Sequence, residues 1–307
     1  MKIHFAPIQG HTDMAYRVLH AQSYRPADFY YSPFIRWERG GVRLRDLKDI
    51  DKANNSPAPV IPQIIFRDRD ELRHLTDAIA QAGYNRIDLN MGCPFPLQTA
   101  RGRGAALSGS EQAAKEVLLL TSDYSDIEFS IKMRLGLKDS DEWKQSLPIL
   151  NEASLRHITI HPRNASQQYG GAVDLDRFQE FIEMNRHRSV YNGDIRTPAD
   201  FSRFHARFPQ IDEVMIGRGL LSRPSLTNEI IEKKDWEREK RIEHLLRFHR
   251  SLLNHYKETL CGDSQILGKI KPFWEYSEAE IGRKAWKQIH KAVNMPKYQS
   301  GVAMIEV

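Results

Sequence analysis

Cys93 lies in the run Asn90-Met91-Gly92-Cys93-Pro94, a setting that offers a thiol for chemistry. An unperturbed cysteine has a pKa of about 8.5, so near neutrality it is mostly protonated and can act as a general acid. With a lowered pKa it would be a nucleophile, and buried without either role it would be inert packing. Glycine before it and proline after it favour an exposed loop. Lys132, flanked by Ile131 and Met133, reads as a lysine within a strand. Pointing inward it could hold developing negative charge or form a Schiff base; pointing outward it would snorkel at a sheet edge. His161, directly before Pro162-Arg163, is open to a structural or a functional role. Asn192-Gly193-Asp194 and Gly217-Arg218-Gly219 combine glycines, which let backbone N–H groups approach an anion, with an arginine able to grip a phosphate through two nitrogens. The other reading is two glycine turns and a surface arginine.

The elements that must position these groups alternate. Strand-like runs occur at Ile3–Ala6, Asp28–Ser32, Val60–Phe66, Arg86–Asn90, Glu128–Arg134, His157–His161, Ser189–Asn192 and Glu213–Ile216. Helix-like stretches such as Asp70–Ala82, Ser110–Leu120 and Ala199–Phe208 fall between them, the last led in by Thr197-Pro198. Eight strands alternating with helices predict a parallel α/β sheet, and eight is the count of a closed (β/α)8, or TIM, barrel. In such barrels reacting groups sit at the C-terminal strand ends. Here those ends carry Ala6-Pro7, Gln63, Asn90, Lys132 with Arg134, His161 with Arg163, Asn192 with Asp194, and Gly217-Arg218. The two glycine loops follow strands seven and eight, where barrels of this kind frequently bind phosphate. A GxGxxG turn is absent, so a flavin mononucleotide or a sugar phosphate fits better than a dinucleotide domain.

After Pro224 the strand-like runs stop. Ile242–Leu260, Ile266–Tyr276 and Ala279–Val293 read as helices, and no flexible linker precedes them. The expected organisation is a catalytic barrel over residues 1–230 and a packed helical domain over 231–307. The chain has 307 residues and a formal charge of +5. Residues 1–232 hold 30 basic and 30 acidic side chains and residues 233–307 hold 15 and 10, so the whole excess lies in the tail. There Lys271, Lys284 and Lys287 interleave with Phe273, Trp274, Tyr276 and Trp286. Basic and aromatic side chains together suit a polyanion with stackable bases, or simply a solvated face over an aromatic core. Two cysteines exclude a disulfide framework and a cysteine-rich zinc site. With no apolar run of membrane-spanning length and no signal layout at the start, a cytoplasmic, metal-free, monomeric protein is expected.

These motifs resemble one family. Phe5-Ala6-Pro7-Ile8-Gln9-Gly10-His11-Thr12-Asp13 is similar to the "APMxGxTD" opening of tRNA-dihydrouridine synthases. Asp88-Leu89-Asn90-Met91-Gly92-Cys93-Pro94, with Gly104-Ala105-Ala106-Leu107 beyond it, resembles their signature loop. Ile131-Lys132-Met133-Arg134-Leu135-Gly136, His161-Pro162-Arg163 with Gln168-Tyr169-Gly170-Gly171, Tyr191–Ile195 and Val214–Gly219 complete the match, which runs from about residue 3 to 226. Gly268-Lys269-Ile270-Lys271-Pro272-Phe273-Trp274 looks most like the bacterial C-type members, which modify position 16 of the tRNA D-loop.

What the resemblance implies is a flavin cycle on tRNA. NADPH or NADH reduces FMN, hydride passes to C6 of a uracil, and Cys93 protonates C5. Ala6, Pro7, Gln63, Lys132 and His161 are implied to hold the flavin, and Asn192, Asp194, Gly217 and Arg218 its phosphate. Asn90, Arg134 and Arg163 are implied at the substrate, and Lys271, Lys284 and Lys287 at the tRNA body. The sequence also departs from the family pattern. Phe66 and Pro162 stand where glycines are usual, and Phe95-Pro96-Leu97-Gln98 lacks the usual Lys-x-Val. Three rivals remain: a flavin barrel reducing a small molecule, an RNA binder without catalysis, and a Schiff-base aldolase using Lys132.

Overall fold

The computed structural model describes residues 1–306. Eight parallel strands close on themselves: β1 (Lys2–Phe5), β2 (Phe29–Tyr31), β3 (Val60–Ile61 and Gln63–Ile65), β4 (Arg86–Met91), β5 (Glu128–Gly136), β6 (Leu155–Asn164), β7 (Arg188–Tyr191) and β8 (Glu213–Ile216). Every strand-like run of the sequence is a barrel strand. β3 is broken at Pro62, which has no N–H to donate. Its first half pairs with β2, its second half pairs with β4, and the Gln63 N–H donates instead to Ser32 Oγ at 3.1 Å. One element goes beyond the alternating pattern: Ile35–Glu38 pairs beside β3 and turns back through Gly41–Val42 as a short hairpin.

Helices α1 (Met14–Ser23), α2 (Arg69–Gln81), α3 (Glu111–Asp123), α4 (Trp143–Leu150), α5 (Leu175–Met184) and α6 (Pro198–Arg207) wrap the barrel. Most start on a side-chain cap: Asp13, Asp68, Ser110, Asp174 and Thr197 each accept a backbone N–H of the first turn. Strand periodicity decides which side chains face inward. Ala6, Tyr31, Ile61, Val190 and Met215 pack together inside the barrel. Below them the floor is polar, with His4 Nε2 and Glu213 2.9 Å apart and His4 Nδ1 2.9 Å from the Tyr31 hydroxyl.

The helical tail runs through α7 (Leu226–Glu232), α8 (Arg238–Thr259), α9 (Asp263–Ile270), α10 (Arg283–Lys291) and α11 (Met295–Val302). α8 lies on α1, with the Tyr16 and Phe248 rings edge to face at 5.0 Å, and the apolar core continues unbroken from barrel to tail. Asp13 fastens the same junction: it caps α1 and also takes Lys269 Nζ at 2.8 Å and the Tyr256 hydroxyl at 3.1 Å. The expected helix over Ala279–Val293 is interrupted, because Gly282 at φ +81° ends one turn and starts α10. Among the described residues, no helix is long and apolar enough to cross a membrane.

Candidate active site

Register sets the site. Across the ladder Asn90 stands beside Lys132, and Arg134 beside His161. An irregularity in the β5–β6 pairing falls between Arg134 and Gly136, at the barrel mouth. The C-terminal strand ends surround a cavity of about 450 Å³, within the size range of cofactor and substrate sites. β1 supplies Ala6 and Pro7, β3 Gln63, and β4 Asn90 with Cys93 just beyond it. β5 supplies Lys132 and Arg134, β6 His161, and the last two strand ends Asn192, Asp194, Gly217 and Arg218.

The Cys93 loop is held from several sides. Asn90 Oδ1 accepts the backbone N–H of Cys93 at 2.9 Å and of Gly92 at 3.1 Å, and the Cys93 carbonyl accepts from Ala105 at 3.0 Å. Gly104, at φ +61°, permits that approach: a Cβ there would lie 2.7 Å from the Cys93 oxygen. Arg103 fixes the loop to α2 through two bonds to Glu71, at 3.0 and 2.6 Å. Burial pushes the thiol up from its ordinary pKa, more than the Phe95 N–H and the nearby Lys132 and Arg134 pull it down. Cys93 is therefore a protonated thiol at neutral pH, which favours the acid over the nucleophile.

Lys132 faces the cavity and, among the described residues, has no hydrogen-bond or ion-pair partner. Burial, and then repulsion from Arg134, lower its pKa to about 8 against attraction from Asp88 and Cys93. His161 is pushed well below its ordinary value by burial and by Arg134 and Lys132. It is neutral, and its Nδ1 lies 2.6 Å from the Asn192 carbonyl, which can only accept. The proton therefore sits on Nδ1, leaving the Nε2 lone pair to accept, with Arg163 Nη1 3.4 Å away.

Arg218 reaches Asp194 at 2.8 Å and stacks on Tyr169, its guanidinium carbon 4.0 Å from the ring centre. Burial alone would raise the Asp194 pKa, but Arg163, with Arg218 and Arg196, holds it below the usual carboxylate range. Asn192 is occupied in holding its loop, its side chain donating to the Met215 carbonyl at 2.7 Å. The lining carries Lys132, Arg134, Arg196 and Arg218 against the single carboxylate of Asp194. Unpartnered Lys132 and, by the glycine loops, Arg218, in one lining with Ala6 and Pro7, fit an anionic phosphorylated ligand with an apolar body.

Four of the expected residues lie outside the cavity lining, three of them lysines expected at the tRNA body rather than in the cavity. Arg163 is 1% exposed and does not line the cavity. Its guanidinium donates to Asp194 at 2.5 Å and to the carbonyls of Gly170 and Gly171, so it anchors the Tyr169 loop rather than meeting substrate. Lys271 donates to the Ala292 carbonyl at 3.1 Å and caps the end of α10. Lys284 and Lys287 are exposed on α10, outside the cavity lining. The cavity also gains residues beyond the expected set, among them Phe34, Gln168, Tyr169 and Arg196. Tyr169 is legible in the sequence only as part of a glycine-rich motif, and its arginine contacts come from Arg134 on β5 and Arg218 just past β8. The departures are accommodated: Phe66 is buried in the core, while Phe95 and Leu97 stand exposed, with Phe95 at the cavity rim.

Known proteins resemble this chain in sequence and in fold. The family model described as dihydrouridine synthase (Dus) matches residues 4–304. A probable tRNA-dihydrouridine synthase of Staphylococcus aureus (strain COL) is 27% identical over 268 residues, 82% of this chain and 77% of that protein. Probable tRNA-dihydrouridine synthase 2 of Bacillus subtilis (strain 168) is 26% identical over 270 residues, 82% of this chain and 78% of that one. Among solved structures, the old yellow enzyme from Trypanosoma cruzi superposes with a TM-score of 0.53 at 11% identity, over 77% of this chain and 89% of that one. Morphinone reductase in complex with tetrahydroNAD gives 0.52 at 10% identity, over 77% and 88%. At these identities the structural matches establish the barrel fold.

Proposed function

The chain belongs to the dihydrouridine synthase family, and on that premise we propose that its barrel cavity reduces a uridine of tRNA to dihydrouridine, with FMN as cofactor and NADPH or NADH as reductant. Gln63, Lys132 and His161 would hold the flavin, and Arg218 with the Gly193 and Gly217 loops its phosphate. When bound, FMN takes hydride from the nicotinamide and supplies it to the uracil ring. Asn90, fixed by the Cys93 loop, orients the uracil through its free N–H. Cys93 donates its Sγ proton to the neighbouring ring carbon. Arg134, pushed down only to about 10 by burial and so still a cation at neutral pH, attracts the base carbonyls. The uridine must leave its stack to reach this depth, at a cost of a few kcal/mol that local RNA structure sets. The tail segment Gly268–Trp274 supports position 16 as the uridine reduced. We assign residues 1–230 to catalysis and 231–307 to holding the tRNA, in a monomer acting in the cytoplasm.

One observation carries this reading: a protonated Cys93, gripped by Asn90, beside the unpartnered Lys132 in a positively lined cavity. The visible spectrum of purified protein tests it. A flavin band should bleach with NADPH and recover, without oxygen, on adding tRNA lacking the modification. Mapping dihydrouridine in the product then tests position 16. Bleaching without recovery on any tRNA would leave the small-molecule reductase, and a protein that FMN cannot reconstitute would refute the flavin.

The tail makes its own prediction. Lys284, Lys287 and Lys291 are exposed at three- and four-residue spacing on α10 and share one face. Changing all three to glutamine should weaken tRNA binding and reduce the slope of log affinity against log salt by about 0.7–0.9 for each phosphate left without its cation. A binding titration at several salt concentrations reads this. An unchanged slope would place the tRNA elsewhere.

A further inference from the structure

Beneath the cavity a chain of hydrogen bonds leads down from the Cys93 loop, and its direction can be worked out atom by atom. Asn90 Oδ1 accepts two backbone N–H groups, from Gly92 and Cys93, so that atom must be the amide oxygen. The amide nitrogen of Asn90 therefore donates to Gln63, at 2.7 Å, and the receiving atom must be Oε1. The Gln63 nitrogen is then left to donate downward, which it does to Asp88 Oδ2 at 2.7 Å. Asp88 Oδ1 takes the Ser130 hydroxyl at 2.6 Å. Both oxygens of Asp88 thus act as acceptors. These residues are buried: Asp88 is 0% exposed, Gln63 1%, Ser130 3% and Asn90 6%.

We infer that Asp88 is a positioning residue for the reaction: as the acceptor at the foot of this chain it fixes the amide orientation of Gln63 and, through Asn90, the place of the Cys93 backbone. The argument is one of matching donors to acceptors. If position 88 cannot accept, the Gln63 nitrogen is buried without a partner and loses its hydrogen bond uncompensated. Flipping Gln63 does not relieve it, because Gln63 would then present an N–H to the N–H of Asn90. Asn90 cannot flip in turn, since its oxygen is committed to the Cys93 loop. The stress therefore passes up to the loop that carries the thiol. Asp88 lies within reach of Lys132, and the obvious rival account is that it merely offsets that charge.

The inference rests on the synthase reading for its catalytic consequence, and two substitutions separate it from the rival. Asp88→Leu removes the acceptor and the charge. Asp88→Asn removes the charge alone: its amide oxygen still accepts from Gln63, and its nitrogen can donate to Ser130 Oγ. Two readouts are taken. Alkylation of Cys93 by iodoacetamide, followed by the mass of its peptide to separate it from exposed Cys261, needs neither flavin nor tRNA. Steady-state turnover on tRNA gives kcat and KM. In Asp88→Leu, Cys93 should be alkylated severalfold faster, and kcat should fall about tenfold to a hundredfold with little change in KM for tRNA, the effect expected of an ångström-scale misplacement. Asp88→Asn should restore most of the native behaviour in both. A folded Asp88→Leu with wild-type alkylation and kcat overturns the inference. So does Asp88→Asn as impaired as Asp88→Leu, which would make charge the role. If Asp88→Leu does not fold, Ser130→Ala must shift both readouts in the same direction by a smaller factor, and no shift overturns the inference. Were tRNA not to reoxidise the wild-type flavin, the synthase reading would fail, while the alkylation series would still decide the role of Asp88.

Discussion

Cys93→Ala should bind flavin and be reduced by NADPH like the native protein, yet turn over tRNA about 10²- to 10⁴-fold more slowly, the usual span for a positioned general acid. The loss should fall on kcat, because the thiol is not among the groups assigned to tRNA or cofactor. Single-turnover reoxidation by tRNA, started from the reduced protein without oxygen, measures it. The acid assignment rests on protonation state as well as place. Burial raises the thiol above its ordinary pKa, so the proton is retained throughout the neutral range and into mild alkali. Activity lost as pH rises from 7 to 8.5 should therefore not come from Cys93. A nucleophile would need the opposite shift. Turnover of Cys93→Ala at the native rate would remove the acid from the thiol and hand the proton to water or to another side chain. Trapping of a stable Cys93–substrate bond as an obligatory species would overturn the role from the other direction.

Strand order and strand ends can be read from the sequence because they depend on short-range pattern. β-branched runs closed by turn residues specify a strand, and eight of them specify a barrel whose upper rim gathers the polar ends. That is why Gln63, Asn90, Cys93, Lys132, His161 and Arg218, which lie far apart in the chain, can be grouped from their places at strand ends alone. The break at Pro62 is less legible, since Val60–Phe66 reads as one strand and only the partners on either side divide it. The hairpin at Ile35–Glu38 depends on the edge of β3 being open to it. α11 begins with Asn294 and Pro296, a sound start signal, but Gly301 weakens its pattern; it is held by packing, with a Cβ on Gly301 coming within 2.9 Å of the Ile289 nitrogen.

Side-chain roles are legible only where residue type limits the options. Arg163 has the type and spacing of a substrate contact. What occupies it is Asp194 together with two carbonyls of the Tyr169 loop, a pairing across more than thirty residues that no local rule reports. Asp88 stands in the signature loop without an evident role, because its function depends on which way two amides point. Domain organisation follows the same logic. The change from alternating elements to helices is visible near residue 230, but the sharing of one apolar core between the two parts is a property of the packing.

Lys132→Met should abolish most turnover and at the same time make the protein more stable. The ammonium lies in the barrel mouth without an acceptor among the described residues, and burial foremost, then Arg134, lower its pKa from 10.5 to about 8. A shift of that size corresponds to a cost on the order of 3 kcal/mol for carrying the charge in the folded state without its ligand. The sign follows from linkage. Below about pH 8 the lysine is protonated whether folded or unfolded, and the cost is present in full. Between about 8 and 10.5 the unfolded chain binds the proton more tightly, so the cost is relieved as pH rises. Methionine keeps a similar length and removes the charge, so the flavin-free variant should melt higher than the flavin-free native protein at pH 7. The gap should narrow as pH rises through that window. Thermal melts of both proteins from pH 7 to 10 give the difference directly, and other titrating groups cancel in it. A gap that is absent at pH 7, or that widens with pH, would mean that Lys132 is already compensated in the folded chain. An anion bound in the cavity should close the gap from the other side, by supplying the acceptor that the fold omits. Instability carried at one lysine and relieved by the ligand it awaits is a cost met at functional sites, and it explains why a buried strand retains a cation where methionine would pack.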